Sequence, residues 1–399
     1  MSNDSHQTRT VRGHLDCVRG RTVFGWAWSP DQPTARLTVR AFVDGVLASE
    51  SIARGYRPDL QDAGIGDGRH SFTLLLPLSV MDGAEHDVAV ISDDGFQLAR
   101  SPVRLILPEF RFVPQPPDVS DYPVEIAVCA IAKNEAPYLL EWIAYHRVLG
   151  VGHFLIFDND SDDGTSQLLD RLAAQGVVER VAWPSTGDTA PQLTAYAEGL
   201  SRLRHLARWI AFIDLDEFLH PLADPDLGTV LRGYEDVAGL VVPWRVFGSS
   251  GREIFEDDLV IRRFTRRARD DDPLNNAVKS IVRSRCVGST GVHTPTMAQG
   301  CLVDEHREVA GVQGDPDRHP VPTARRLVIN HYFGKSRAEW ELKRRRGRAT
   351  RRAGDSTRVR SDRDFAAHDK NDVDDIRILR FESAVRAEMK ALLSAMEPG

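Results

Sequence analysis

Between residues 124 and 213 this chain alternates apolar runs of strand length with segments of helical period. No other feature of the sequence limits the fold so tightly. Residues 124–132 form an apolar run, as a strand buried on both faces requires. Leu139, Trp142, Ile143, His146 and Leu149 then recur at helical spacing. A second strand over 153–157 precedes a helix carrying Leu168, Leu169 and Leu172. A third strand covers 177–183, and a third helix covers 191–206 with Leu193, Ala197 and Leu200 on one face. A fourth strand covers 209–213. Four strands joined by three helices predict an α/β fold with a doubly wound, mostly parallel sheet. Ligands of such sheets bind at the carboxyl ends of the strands.

The flanks have other textures. In residues 36–43, Leu37, Val39, Ala41 and Val43 alternate with Arg36, Thr38, Arg40 and Phe42, and Asp44-Gly45 follows. That dipeptide between two strands predicts a hairpin, because a type I′ turn needs positive φ at both central residues. Asp67-Gly68, Asp82-Gly83 and Asp94-Gly95 punctuate the same stretch, so residues 1–107 read as a small all-β sandwich. Within it Trp26, Trp28 and Tyr56 read as core aromatics. Five prolines between 108 and 123 predict a linker. Residues 124–345 form the α/β domain and 346–399 a basic, helical extension. Strands are expected at 240–247 and 259–264, and helices at 337–348 and 375–392.

Composition excludes some functions. The net charge of −7 does not suit a nucleic-acid binder. The charge is uneven, however: residues 335–360 hold eleven Lys/Arg against three Asp/Glu. That run reads as a solvated helix face or loose tail, with peripheral contact to an anionic membrane as the alternative. Cys17, Cys129, Cys286 and Cys301 show neither zinc spacing nor a disulfide framework, and Cys129 reads as a buried apolar residue. The polar first ten residues carry no apolar signal segment, and a cytoplasmic location is expected.

Three polar clusters close the predicted strands. Asp214-Leu215-Asp216-Glu217 follows the fourth. Its carboxylates at i and i+2 suit a divalent Mn²⁺ or Mg²⁺, since hard cations take oxygen ligands and leave positions open for phosphates. The bland alternative is a helix N-cap with an acidic first turn. Lys133-Asn134-Glu135 closes the first strand, and Asp158-Asn159-Asp160-Ser161-Asp162-Asp163-Gly164 the second. A nucleotide can lie across those two ends; a turn with a capped helix is the structural alternative. The second cluster is not an EF-hand, because Leu169 stands where its twelfth ligand belongs. His293 and His331 are candidates for further metal ligands, and Lys279 and Arg283 for diphosphate contacts.

Several of these segments together resemble a known family. CAIAKNEAPYLLEWIAYHRVLGVGHFLIFDNDSDDGT, WIAFIDLDEFLHP, FGSSG, KSIVR, GVHTP and NHYFGKSRAEW occur in the order found in bacterial glycosyltransferases of the family 2-like and family 92-like group. The resemblance covers about residues 124–345. It implies a GT-A fold, a nucleotide-sugar donor (a UDP-sugar above all), a glycan acceptor, a DxD metal site and inversion at the anomeric carbon. Carried over by position, it makes Lys133, Asn134, Glu135 and Asp158 donor-side contacts, and Asn159 and Asp160 of the same strand-end cluster are further candidates for the nucleotide-sugar. Asp214 and Asp216 become the metal carboxylates, and His293 and His331 late active-site residues. GWAWSPDQP and YRPDLQDAGIGDGRHSFTLLLP resemble a β-sandwich domain that accompanies such enzymes. For the base that deprotonates the acceptor, Glu217 and Asp257 are the candidates. Two other readings stay open: a glycan-binding scaffold with a degenerate transferase domain, and a phosphatase using the first Asp as nucleophile. The latter class places its DxD on the first strand, whereas here three strand–helix units come first.

Overall fold

The computed structural model describes residues 10–19, 21–107, 122–185, 189–310, 324–351, 355 and 359–397. It divides into two compact units, one N-terminal and one from about residue 112 onward. The stretch read as a linker lies almost wholly outside the described residues.

The N-terminal unit is two four-stranded antiparallel sheets. One runs Arg12–Arg19, Thr22–Trp28, Arg69–Leu75, Gly55–Tyr56; the other runs Val46–Ile52, Thr38–Val43, Glu85–Ser92, Val103–Ile106. Leu37, Val39, Ala41 and Val43 point into one apolar cluster with Val23, Ala27, Phe72, Leu74, Val88 and Val90. Asp44 and Gly45 turn the hairpin with φ of 51° and 81°, as the I′ geometry requires. The aromatics differ from expectation. Val23 and Ala27 take the inward positions of their strand, so Trp26 and Trp28 face outward and half-buried, and Tyr56 is 50% exposed.

We number the elements of the second unit from its own start. In chain order they are β1 Val124–Ala132, α1 Ala136–Val148, β2 His153–Asp158, α2 Thr165–Ala174, β3 Glu179–Ala182 and α3 Pro191–Leu203. β4 Ala207–Phe212, β5 Glu217–Pro221, β6 Gly239–Val246, β7 Val278–Arg283, β8 Leu327–His331, α4 Arg337–Arg346 and α5 Glu382–Ala395 follow. The sheet order is β3-β2-β1-β4-β7-β6-β8-β5, with a short strand Leu302–Val303 beside β6. The first four strands are parallel, and β7 joins β4 antiparallel, so the sheet is mixed. Side-chain alternation splits the apolar run of β1 between two cores. Ile126, Val128 and Ala130 pack with α1 and α2; Ala127, Cys129 and Ile131 pack with α3.

Each helix has a local cause. Pro191 begins α3, where a missing N–H costs nothing. α3 lies so close to β1 that a Cβ at Gly199 would stand 2.4 Å from Cys129 Sγ. Its buried face is Gln192, Ala195, Tyr196, Gly199, Leu200 and Leu203, while Leu193 is exposed, so the expected face is rotated. α1 is buried on nearly every side because α5 covers it: Val385, Leu392 and Met396 join the same cluster. Phe381 meets Tyr145 edge-on at 5.7 Å, and Arg147 pairs with Glu388. The region after 345 is therefore part of this unit and not an extension. Residues 259–264 also depart from expectation. The buried Glu141 carboxylate accepts the Val260 and Ile261 N–H groups at 2.7 and 3.1 Å, which starts a short helix, Val260–Arg263, instead of a strand.

Candidate active site

The segment after β4 does not start a helix. The Asp214 N–H donates to Glu217 Oε2 at 2.9 Å, and the Glu217 N–H to the Asp214 carbonyl at 3.1 Å, closing a turn. Glu217 then begins β5. β8 pairs with that strand along one edge, and α1 holds it from the side. Trp142 Nε1 donates to the Glu217 carbonyl (2.7 Å), Tyr145 Oη to the Leu219 carbonyl (2.9 Å), and the Leu219 N–H to His146 Nε2 (3.3 Å). Leu215 points into the core, so Asp214 and Asp216 both face the opposite side.

That side is a cavity of about 230 Å³ at the carboxyl ends of β1 and β4. Lys133, Glu135, Asn159, Asp214, Asp216, His293 and His331, all candidates from the sequence, line it. Both Asp carboxylates meet buried ammonium groups. Lys279 Nζ donates to Asp214 Oδ2 at 3.0 Å, and Gln192 and Tyr196 donate to Oδ1 at 2.6 and 3.1 Å. Lys343 Nζ donates to Asp216 Oδ2 and to the Phe333 carbonyl, and His331 Nε2 stands 3.7 Å from the same carboxylate oxygen. Burial opposes ionisation of Asp216, but the charges of Lys343 and His331 outweigh it and hold the carboxyl well below its usual range. Lys279 also lowers Asp214, against the opposing effects of burial and Asp216.

Other expected residues lie elsewhere. Glu217 is fully buried beneath the turn and does not line the cavity; burial, with Asp214 and Asp216 nearby, pushes its carboxyl well upward. Asp257 is exposed in the loop before Val260 and is not among the lining residues either. Neither expected base therefore reaches the cavity. Arg283 shares the strand and face of Lys279 but sits at its far end, over the Trp209 ring at 5.2 Å. Asp158 is spent on Arg180 and Ser166, Asn134 on Asp162, and Asp160 on the Ser185 N–H. These three hold the strand-end loops in shape.

Among the described residues no three of His, Cys, Asp and Glu gather closely enough to hold a metal ion. The four-ligand set expected from the sequence is thus not assembled, since the His293 ring sits at the Val278 carbonyl through Nδ1 (2.8 Å). Asp216 with His331 is the pair that is assembled. The carboxylate oxygen suits Mn²⁺ or Mg²⁺ by donor type, whereas the imidazole suits softer ions than Mg²⁺, and the Lys343 ammonium already fills the place of a cation on Asp216.

The sequence reading missed the other wall. Lys343, Arg346, Arg348 and Arg360, from the supposed solvated run, line the cavity. Arg346 donates to the carbonyls of Lys133 and Asn134 at 2.7 and 2.8 Å and pairs with Glu135. Trp244 forms a floor against the His331 and His293 rings, with centroids 4.1 and 5.5 Å away. The signal for the basic wall was present in the charge run itself; the partners of Lys343 and Arg346 lie more than a hundred residues upstream.

The family model of Glycosyltransferase family 92 matches residues 122–332, more than half of the chain. A Glycosyltransferase family 92 protein of Ricinus communis is 30% identical over 224 residues, which is 55% of this chain and 37% of the relative. One of Oryza sativa subsp. japonica is 37% identical over 131 residues, 32% of this chain and 22% of the relative. These relatives are plant proteins, not the bacterial ones that the motifs suggested, and the chain spans well under half of their length. The match begins at residue 122 and so does not bear on the two N-terminal sheets. Among solved structures, S. aureus TarS 1-349 aligns at 16% identity and a TM-score of 0.25, covering 40% of this chain and 47% of that one. Glucosyl-3-phosphoglycerate synthase from Mycobacterium tuberculosis, solved with Mg²⁺ and uridine-diphosphate, aligns at 20% identity and 0.23, covering 30% and 44%. Scores of that size add nothing to the assignment. The family match does: the chain belongs to glycosyltransferase family 92.

Proposed function

We propose that this cavity binds a nucleotide-sugar donor, a UDP-sugar, and that the chain transfers the sugar to a hydroxyl of a glycan acceptor with inversion, on a GT-A fold. One observation supports this beyond the family match. Two carboxylates, an aromatic floor and the cations Lys133, Lys343, Arg346, Arg348 and Arg360 all line a single cavity at the strand ends. A diphosphate presents clustered negative charge, and such cations stabilise that charge as it develops on the leaving group. Arg346 and Arg348 supply planar forks, and Lys133 and Lys343 point charges. Trp244 offers a flat apolar face for a base or sugar ring.

A divalent Mn²⁺ or Mg²⁺ belongs to this reading, with Asp216 and His331 to hold it; when bound, it neutralises the departing diphosphate. Lys343, which lines the cavity, would supply a positive charge to the phosphates. We also read the two N-terminal sheets as an accessory β-sandwich and the location as cytoplasmic. Among the described residues, no helix is long and apolar enough to cross a membrane. Membrane contact through the basic run has less support, because Lys335 and Lys343 of that run are buried.

Calorimetric titration of UDP with Mn²⁺ tests the reading. The chain should bind UDP, and Asp216→Asn should lose Mn²⁺ binding, read directly by paramagnetic resonance. A chain that binds no nucleoside diphosphate under any metal condition is not a transferase of this kind.

A further inference from the structure

A second cavity, of about 640 Å³, lies beside the first, and Lys133, Lys343 and Arg346 line both. Its volume falls in the range of about 300–1,000 Å³ usual for small-molecule sites. Tyr138, Leu342, Lys335 and Arg345 complete its character: an aromatic and apolar wall with two further cations.

Charge accounting gives the cavity a sign. Of its three carboxylates only Glu339 meets a cation, Arg263; Asp162 and Asp163 keep their charge and are held by neutral donors, against the five lining cations Lys133, Lys335, Lys343, Arg345 and Arg346. Asp162 takes the Asn134 amide at 2.7 Å, Asp163 takes the Thr165 hydroxyl at 2.6 Å and the Ala136 N–H at 3.1 Å, and Glu339 takes Arg263, Tyr138 and Ser336. Lys133 donates only to a neutral carbonyl, that of Asn159. Among the described residues, none of Lys133, Lys335 and Arg345 has a carboxylate within ion-pair distance.

Lys335 is the informative one. It is only 3% exposed, and its ammonium lies 4.0 Å from the centroid of the Tyr138 ring. Its φ is +55°, a left-handed conformation that a side-chain-bearing residue seldom adopts. Its charge acts on Glu339, Glu141 and Asp216 from beyond ion-pair distance, so no carboxylate caps the ammonium directly. The residue stands immediately before the Ser336 cap of α4, and its ammonium lines the cavity where an entering anion would meet it.

We propose that this second cavity receives the acidic group of the acceptor, a saccharide carrying a carboxylate or phosphate. Its ring packs on the Tyr138 and Leu342 wall and its oxyanion meets Lys335. The proposal rests on the transferase reading and names the acceptor class for it.

Calorimetry on the full chain, with and without saturating UDP, tests it with glucose, glucuronic acid, glucose 6-phosphate and inorganic phosphate. The two acidic sugars should bind at least tenfold more tightly than glucose. Lys335→Met should abolish that preference and Lys335→Arg should keep it, while UDP affinity stays unchanged in both and so reports an intact fold. Equal binding of neutral and acidic sugars, or a preference that survives Lys335→Met, overturns the proposal. Inorganic phosphate binding as tightly as glucose 6-phosphate overturns it too, because the site then belongs to a free anion. The arm without UDP stands by itself, so failure to bind UDP counts against the transferase reading alone.

Discussion

His146 sets an acid limit on the second unit. It is fully buried between α1 and β5, with Nδ1 at the Trp142 carbonyl (2.9 Å) and Nε2 accepting the Leu219 N–H (3.3 Å). That pattern needs the neutral imidazole, protonated at Nδ1 alone. Burial lowers its pKa from 6.5 to about 3, with the Trp142 carbonyl only partly offsetting it. Between those values the unfolded chain binds a proton that the folded chain refuses. Stability from this group is therefore complete above pH 6.5 and falls as the pH drops towards 3. At pH 5, 1.5 units below the unfolded value, the loss is about 2 kcal/mol. His146→Phe removes the term at the cost of an unsatisfied Leu219 N–H, about 1–3 kcal/mol at neutral pH. Urea unfolding of both proteins from pH 7.5 to 4 is the assay. The variant should start lower but decline less steeply, by about 1.4 kcal/mol per pH unit below 6.5. Parallel curves would refute the reasoning. His220 and His368 are also lowered, each to about 4, mainly by burial; both proteins contain them, so their effect cancels in the difference.

Two other perturbations test the packing. Lys343→Met strands the Asp216 carboxylate and should cost about 3–5 kcal/mol in urea unfolding, whereas the Asp216→Asn, Lys343→Met double variant should recover most of it; additive losses would mean the pair is not coupled. Gly199→Ala pushes a Cβ onto Cys129 Sγ and should cost about 1–3 kcal/mol in thermal unfolding, relieved when Cys129→Ala is added.

The parallel half of the fold was legible because its information is local. An apolar run like that of β1 has few alternatives to a doubly buried strand, and the Asp-Gly at 44–45 encodes its own turn. The misreadings share one cause: the deciding partner is remote in sequence. Asp214 to Glu217 carries the same residues whether it caps a helix or turns into a strand, and the choice is made by β8 and by Trp142, Tyr145 and His146 of α1. Val260 to Arg263 reads as strand until Glu141 supplies acceptors for its first N–H groups. Leu193 looked like core because helical spacing fixes a face only to within a residue or two; Tyr196, reaching Asp214, fixes it in the structure. At the site, the carboxylates and Lys133, Glu135 and Asn159 were readable from their strand ends. Lys343, Arg346 and Arg360 were not, since a run of basic residues looks the same whether water or Asp216 and Glu135 receives it.

The cover that α5 places over α1 has a consequence during synthesis. α1 begins at residue 136, yet the helix that hides its outer side is made about 250 residues later, and Lys343, Arg346 and Arg360 of the cavity wall are also late products. At translation speeds of about 5–20 residues per second, a growing chain carries Tyr145 and its neighbours uncovered for about 10–50 seconds. In that interval the strand ends already exist but the cavity has no second wall. The nascent chain thus exposes apolar surface until α5 docks, after the residues of the cavity wall have been made.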